Sequence, residues 1–269
     1  MAETKTAEKP KPKFDFKTLG VPVGPPQTPA NQKSMLIYGP PGSGKTRLAA
    51  SASAVPELGR VAHLDLEAGS VSIETSPDVD LEQVDVFRPE DWEGTNDVLE
   101  ALLNEEHDYQ TVILDTVGKF MEFLFPIKEK RAGNNKFDLW RELAEDTIRI
   151  TEQLHRSGLN VILLAHTDSE KNEVTGKVTT YPYFLGQKTG KEAPKIFDII
   201  AHLDVDTDDD GDPIRVLQTE GLDGIVAKDR TDTLPVYLGH PTMKKMYDFF
   251  VAGVPGKGRT PAKTSKSTK

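Results

Sequence analysis

The stretch SMLIYGPPGSGKTRLAASA, residues 34–52, constrains this chain more than any other feature. An apolar run leads into GPPGSGKT, and a helix-forming run follows. In that strand–loop–helix setting, G-x-x-x-x-G-K-T reads as a phosphate-binding P-loop. Its glycines let the backbone wrap tightly enough to turn N–H groups toward phosphate oxygens, and the start of the helix adds a favourable dipole. Gly39, Pro40, Pro41, Gly42, Ser43, Gly44, Lys45, Thr46 and Arg47 are the expected contacts of a nucleoside triphosphate, ATP or one similar. Lys45 would reach the β- and γ-phosphates, and Thr46 would offer its hydroxyl to Mg²⁺. The plain alternative is a glycine-rich turn with an incidental lysine.

A P-loop enzyme also needs a carboxylate at a strand end to hold the metal's water shell, and TVILDT supplies Asp115. Hydrolysis further needs a group that activates or orients water. Many ring-forming P-loop ATPases place Glu directly after the metal-binding Asp, but here the next residue is Thr116. The substitute lies upstream in VAHLDLEAGS, where Glu67 follows a second strand. If that strand neighbours the Asp115 strand, Glu67 reaches the γ-phosphate. Asp65 is its rival, two residues deeper on the same strand face, and an ordinary loop carboxylate is the bland reading of Glu67. NVILLAHTD is another apolar strand, and it ends at His166. That residue is either a γ-phosphate sensor or a satisfied turn residue.

Short apolar runs alternate with longer helical patterns, as in βα units around a mostly parallel sheet. The strands expected are 34–38, 60–66, 84–87, 111–115 and 160–165, with helices over 45–54, 92–105 and 137–156. After His166 a polar stretch, 167–195, leads to a hairpin (199–205 and 214–219) and a closing helix from Pro241 to Val251. The fold class expected is α/β, a mostly parallel central sheet flanked by helices with a C-terminal β-hairpin extension. At 269 residues this suits one large domain with tails. The boundaries read as a flexible segment over 1–30, the domain over 31–253 and a disordered basic tail over 254–269.

The chain has no cysteine, which excludes disulfides, thiolate zinc sites and cysteine nucleophiles. MAETKTAEKPKPKF has no apolar run to serve as a signal peptide, and no stretch is long enough to span a membrane, so a cytoplasmic protein is expected. The net charge is −10. Five of the 33 basic residues lie in the last fourteen, GKGRTPAKTSKSTK, leaving 28 against 43 acids elsewhere, a body charge of −15. Such a body argues against broad adhesion to DNA, but not against a local basic loop.

GPPGSGKT, HLDLEAGS, TVILDT and VILLAH, in that order, resemble the RecA-like P-loop ATPase core. The chain is similar in particular to the small phage-encoded RecA-like proteins of the single-strand-annealing (Sak) group, over about residues 33–230. The resemblance implies head-to-tail self-association into a ring or filament, with ATP between subunits. It implies that Lys228 and Arg230, in IVAKDRTD, reach a neighbour's site in trans; the alternative is a solvated turn with an internal Asp229–Arg230 pair. It also implies contact with single-stranded DNA through two loops. One is EKRAGNNK, with Lys130, Arg131 and Lys136. The other follows His166 and holds Lys177, Tyr181, Tyr183, Lys188 and Lys191, where charge can track the backbone and rings can stack on bases. Equally, Tyr183 and Phe184 can anchor a hairpin on the core. Phe14 and Phe16 offer a subunit-docking arm or an intramolecular staple.

Asp206, Asp208, Asp210 and Gly211 imitate the first half of a calcium loop, but the twelfth position is Leu217 where a bidentate Glu is needed. An acidic hairpin turn is the better account. The function expected is a Mg²⁺-dependent ATPase acting on single-stranded DNA in recombination, annealing or repair. A second reading is an ATP-switched loader whose partner is a single-strand-binding or replication protein, with no direct affinity for DNA. A small-molecule kinase fits less well, since only Arg215 and Arg230 stand where an arginine-rich lid would lie.

Overall fold

The computed structural model describes residues 33–133, 135–186, 193–208 and 210–252. Lys188, Lys191, Phe14, Phe16 and both terminal segments lie outside them. In chain order the elements are β1 (Ser34–Gly39), α1 (Lys45–Ala50), β2 (Arg60–Asp65), β3 (Val84–Phe87), α2 (Trp92–Asn104), β4 (Tyr109–Asp115), α3 (Val117–Ala132), α4 (Lys136–Arg156), β5 (Asn160–Lys171), β6 (Val178–Pro182), β7 (Ile199–Thr207), β8 (Pro213–Gln218), β9 (Lys228–Asp229), β10 (Tyr237–Gly239) and α5 (Met243–Ala252).

One sheet organises them, in the order β10-β8-β7-β1-β5-β4-β2-β3, with β6 on β5 and β9 on β7. From β7 to β3 the pairings are parallel. β8 and β10 continue the sheet antiparallel, so the β7–β8 hairpin extends the sheet beyond β1. The central strands read as unbroken apolar runs because helices cover both faces. Alternate residues feed two cores. Leu36, Tyr38, Leu64, Leu114 and Leu163 meet Phe120 and Leu124 of α3 and Leu143 and Leu154 of α4. Met35, Ile37, Val61, Ile113 and Ile162 meet Leu48 of α1 and Met243, Met246 and Phe250 of α5.

The helix expected over 45–54 ends at Ala50, and residues 51–54 form a 3-10 turn; two further segments depart from the expected elements. Of the stretch 129–136, expected as a loop, the described residues are mostly helical: α3 runs to Ala132, Gly133 caps it, and α4 starts at Lys136. Asn135 caps α4 by accepting from the Asp138 N–H, the usual task of such a residue. β5 continues past Ala165 to Lys171, where its polar half leaves the core and pairs antiparallel with β6. Solvent on that half permits the polar side chains that concealed the strand. Among the described residues no helix is long and apolar enough to cross a membrane.

Candidate functional site

The P-loop leaves β1 at its carboxyl end. β1 pairs with β5 on one side and β7 on the other, and open α/β sheets take ligands at such a switch in strand order. Gly42 and Gly44 have φ of 78° and 97°, a region that side chains disfavour. Lys45 is 6% exposed and bends back, its Nζ donating to the carbonyls of Gly39 at 2.9 Å and Pro40 at 3.0 Å. Burial pulls its ammonium below the ordinary lysine value, while Asp115 and Glu67 act the other way. Among the described residues the buried Ser43 hydroxyl has no hydrogen-bond partner.

Around the loop the cleft encloses about 460 Å³, within the ordinary range for ligand pockets. A buried cation held by carbonyls and an orphaned hydroxyl suit phosphate oxygens. Thr46 Oγ1 donates to Asp115 Oδ2 at 2.7 Å, so two hard oxygen donors of the kind Mg²⁺ takes stand together. A magnesium nucleotide therefore fits the residues present. The Arg47 side chain turns elsewhere: its Nε donates to the Ser72 carbonyl at 2.7 Å and Nη2 to Thr75 Oγ1 at 3.0 Å.

The register of the sheet gathers the remaining carboxylates. β2 lies beside β4 with Asp65 opposite Asp115, and β4 lies beside β5. The ends of three strands thus bring Glu67, Thr116 and His166 together. The Thr116 hydroxyl donates to Glu67 Oε1 at 2.6 Å, and His166 Nε2 stands 3.0 Å from Glu67 Oε2. The Asp115–Thr116 peptide bond is cis. Asp65 is occupied otherwise, with Oδ1 accepting from the Gly69 N–H at 2.8 Å and Oδ2 from the Ser70 N–H at 3.0 Å. Burial pushes the Asp65 carboxyl up, but the bonds from Ser70 and Gly69 outweigh it and hold the group below the usual carboxylate range. It ties the turn that carries Glu67 and leaves the cleft to that residue.

Three neighbours of this site escaped the sequence reading. Thr116 was visible only as the residue where a glutamate was missing. His63, fully buried, places Nε2 3.4 Å from Asp115 Oδ2 without hydrogen-bond alignment; it lies within an apolar strand, and only the pairing of β2 with β4 brings it to Asp115. Arg215 of β8 donates from Nε to the Ser43 carbonyl at 3.1 Å, a contact across 172 residues that leaves no local signal.

Lys228 and Arg230 lie away from this cleft, at the β9 pairing with the start of β7. Lys228 Nζ donates to the Lys195 carbonyl at 3.2 Å, and Arg230 Nη2 to the same carbonyl at 2.6 Å. Burial, with Arg230 adding to it, pulls the Lys228 ammonium down to about 8. Asp229 accepts from Thr231, Thr233 and Leu234, while Arg230 faces Asp198 at 3.9 Å. The internal Asp229–Arg230 pair is therefore not formed.

Among the candidate DNA contacts, Lys130 and Arg131 sit in the last turn of α3 and Lys136 opens α4. Arg131 Nε lies 3.6 Å from Glu142. Lys177 is exposed beside the β5–β6 turn. Tyr181 donates to Asp168 Oδ2 at 3.3 Å. The Tyr183 N–H donates to the His166 carbonyl at 2.8 Å, and its ring packs on Gly118. Phe184 is in the core, so it anchors the hairpin.

No protein of curated function matches the sequence. Among solved structures, the RadB recombinase aligns with 69% of this chain and 79% of its own, at 19% identity and a TM-score of 0.45. The profile of the AAA domain (AAA_24) matches residues 31–231, three-quarters of the chain, and the chain therefore belongs to that AAA domain family.

Proposed function

We propose that this chain is a Mg²⁺-dependent ATPase of RecA-like type, close to the phage-encoded single-strand-annealing group, acting on single-stranded DNA in the host cytoplasm. The observation that carries the reading is the meeting of Glu67 with Thr116 and His166 beside the Thr46–Asp115 pair. Lys45 and the loop N–H groups hold the triphosphate; Thr46 and Asp115 hold Mg²⁺, which supplies charge neutralisation at the phosphates when bound. Glu67 orients and deprotonates water. Thr116 fixes one of its oxygens and His166 meets the other, so His166 reports γ-phosphate to the outer half of β5. That half-strand runs without a break from His166 into the hairpin bearing Lys177 and Tyr181. Such continuity supports a DNA loop there. Lys130, Arg131 and Lys136 at the α3–α4 turn form a second contact, and Lys188 and Lys191 add charge to the first.

In this reading residues 31–253 form the ATPase domain and the flanking segments are tails. Copies assemble head to tail, and Lys228 and Arg230 complete the neighbour's site, consistent with their distance from their own cleft. The body charge of −15 favours one alternative, a loader switched by ATP that grips a replication protein instead of DNA. The test of the catalytic assignment is Glu67→Gln. The amide keeps an acceptor for Thr116, so MgATP binding should survive while turnover falls by about 10²- to 10⁴-fold. Hydrolysis at the wild-type rate overturns the role of Glu67.

A further inference from the structure

Arg215 is built onto the P-loop from outside. It stands on β8 opposite Val205 of β7, and its backbone carbonyl accepts from the His240 N–H at 2.8 Å. Its Nε donates to the Ser43 carbonyl. A Cβ on Gly44 would lie 2.6 Å from that Nε and 3.0 Å from Cδ, so the side chain lies flat against the glycine. Both ends of the residue are thus fixed.

The terminal nitrogens of the guanidinium are not spent in the same way. Among the described residues no carboxylate pairs with them. The carboxylates that share the cleft are engaged, Glu67 with Thr116 and His166 and Asp115 with Thr46. Arg215 lines the P-loop cleft and also a second, smaller one of about 150 Å³. Gly44 and Arg47 are shared in the same way, so the two clefts meet at these residues. Asp78 lines the smaller cleft as well, but among the described residues no carboxylate forms an ion pair with Arg215, and a guanidinium held in place at such a junction matches phosphate oxygens, to which its planar fork can bond in pairs.

We propose that Arg215 binds the polyphosphate of the nucleotide in cis, from the β8 side of the cleft. This inference rests on the nucleotide reading of the cleft. Lys45 belongs to the loop and Arg215 comes to it from β8, so the phosphates would be held by the P-loop and the β7–β8 hairpin together. Gly44 is required twice, for its backbone and for the space Arg215 occupies.

The experiment is equilibrium binding of MgATP, MgADP and inorganic tripolyphosphate to the wild type, Arg215→Gln, Arg215→Lys and Lys45→Ala, with melting curves to establish that each is folded. Arg215→Gln should weaken all three by about tenfold to a hundredfold, the worth of a charge-assisted hydrogen bond. Arg215→Lys should fall between it and the wild type, because an ammonium keeps the charge and loses the fork. Wild-type affinity for tripolyphosphate in a folded Arg215→Gln overturns the proposal. If that variant does not fold, Arg215→Lys decides alone: weakened binding supports the proposal and wild-type binding overturns it. A wild-type protein that binds none of the three ligands refutes the nucleotide reading itself, and that result is distinct from failure of Arg215 alone.

Discussion

Gly44→Ala isolates how the P-loop is held before any ligand arrives. At φ 97° an alanine suffers the clash of Cβ with its own backbone, about 1–2 kcal/mol. The new Cβ also meets Arg215 Nε at 2.6 Å and Cδ at 3.0 Å, so the side chain must move and its bond to the Ser43 carbonyl is lost. A hydrogen bond to a charged group contributes about 1.5–3 kcal/mol, and the exposure of Arg215 places this one at the low end. Together these effects cost about 3 kcal/mol. For a domain of this size that lowers Tm by about 6–12 °C, read by circular dichroism without nucleotide. In an Arg215→Ala background only the backbone share should remain, leaving a coupling of about 1–2 kcal/mol in the double-mutant cycle. A Tm loss below about 2 °C, or equal losses in both backgrounds, would show that the Gly44–Arg215 contact holds nothing.

Tyr38, the last residue before the loop, donates its buried hydroxyl to the carbonyls of Val226 at 2.9 Å and Thr180 at 3.2 Å. Tyr38→Phe should cost about 1 kcal/mol and speed amide exchange in β6; unchanged exchange refutes the tie between P-loop strand and hairpin. Asp115→Asn should raise the Mg²⁺ concentration that half-saturates turnover by at least about tenfold, measured by Mg²⁺ titration at fixed nucleotide, and an unchanged requirement removes Asp115 from the metal site. Lys228, pulled down to about 8 by burial and by Arg230, makes stability depend on pH. Between that value and the ordinary lysine value near 10.5 the unfolded chain binds the extra proton, so stability rises with pH there. The penalty of the buried charge is in full force below pH 8. Lys228→Met should abolish the rise and gain stability at pH 7; denaturation midpoints that keep the wild-type slope would contradict this.

What could be read in the sequence was whatever a short stretch encodes by itself. The P-loop announces itself because its glycines, lysine and threonine are contiguous and lie between an apolar run and a helix. Asp115 stands at the end of an apolar strand and His166 where the apolar half of β5 gives way to its polar half, and the approach of Glu67 needed only the added guess that its strand lies beside β4, as it does. The rest depended on register. His63 and Asp115 belong to different strands, and nothing in VAHLD marks the histidine as one that faces a carboxylate. Arg215 meets the loop only because β8 pairs with β7 and β7 with β1. The helix end at residues 129–132 passes for a loop because EKR is charged and stands just before a glycine, a pattern shared by loops and solvated helix ends. β9 is two residues long, too short for any periodicity.

The central claim is an ATP-hydrolysing site that answers to single-stranded DNA. Steady-state ATP hydrolysis with Mg²⁺, with and without single-stranded DNA, and with Lys45→Ala as the blank, tests it most directly. Turnover should vanish in Lys45→Ala and rise with DNA, with the stimulation lost at high salt as phosphate contacts are screened. Turnover that persists in Lys45→Ala, or that is indifferent to DNA at low salt, would contradict it.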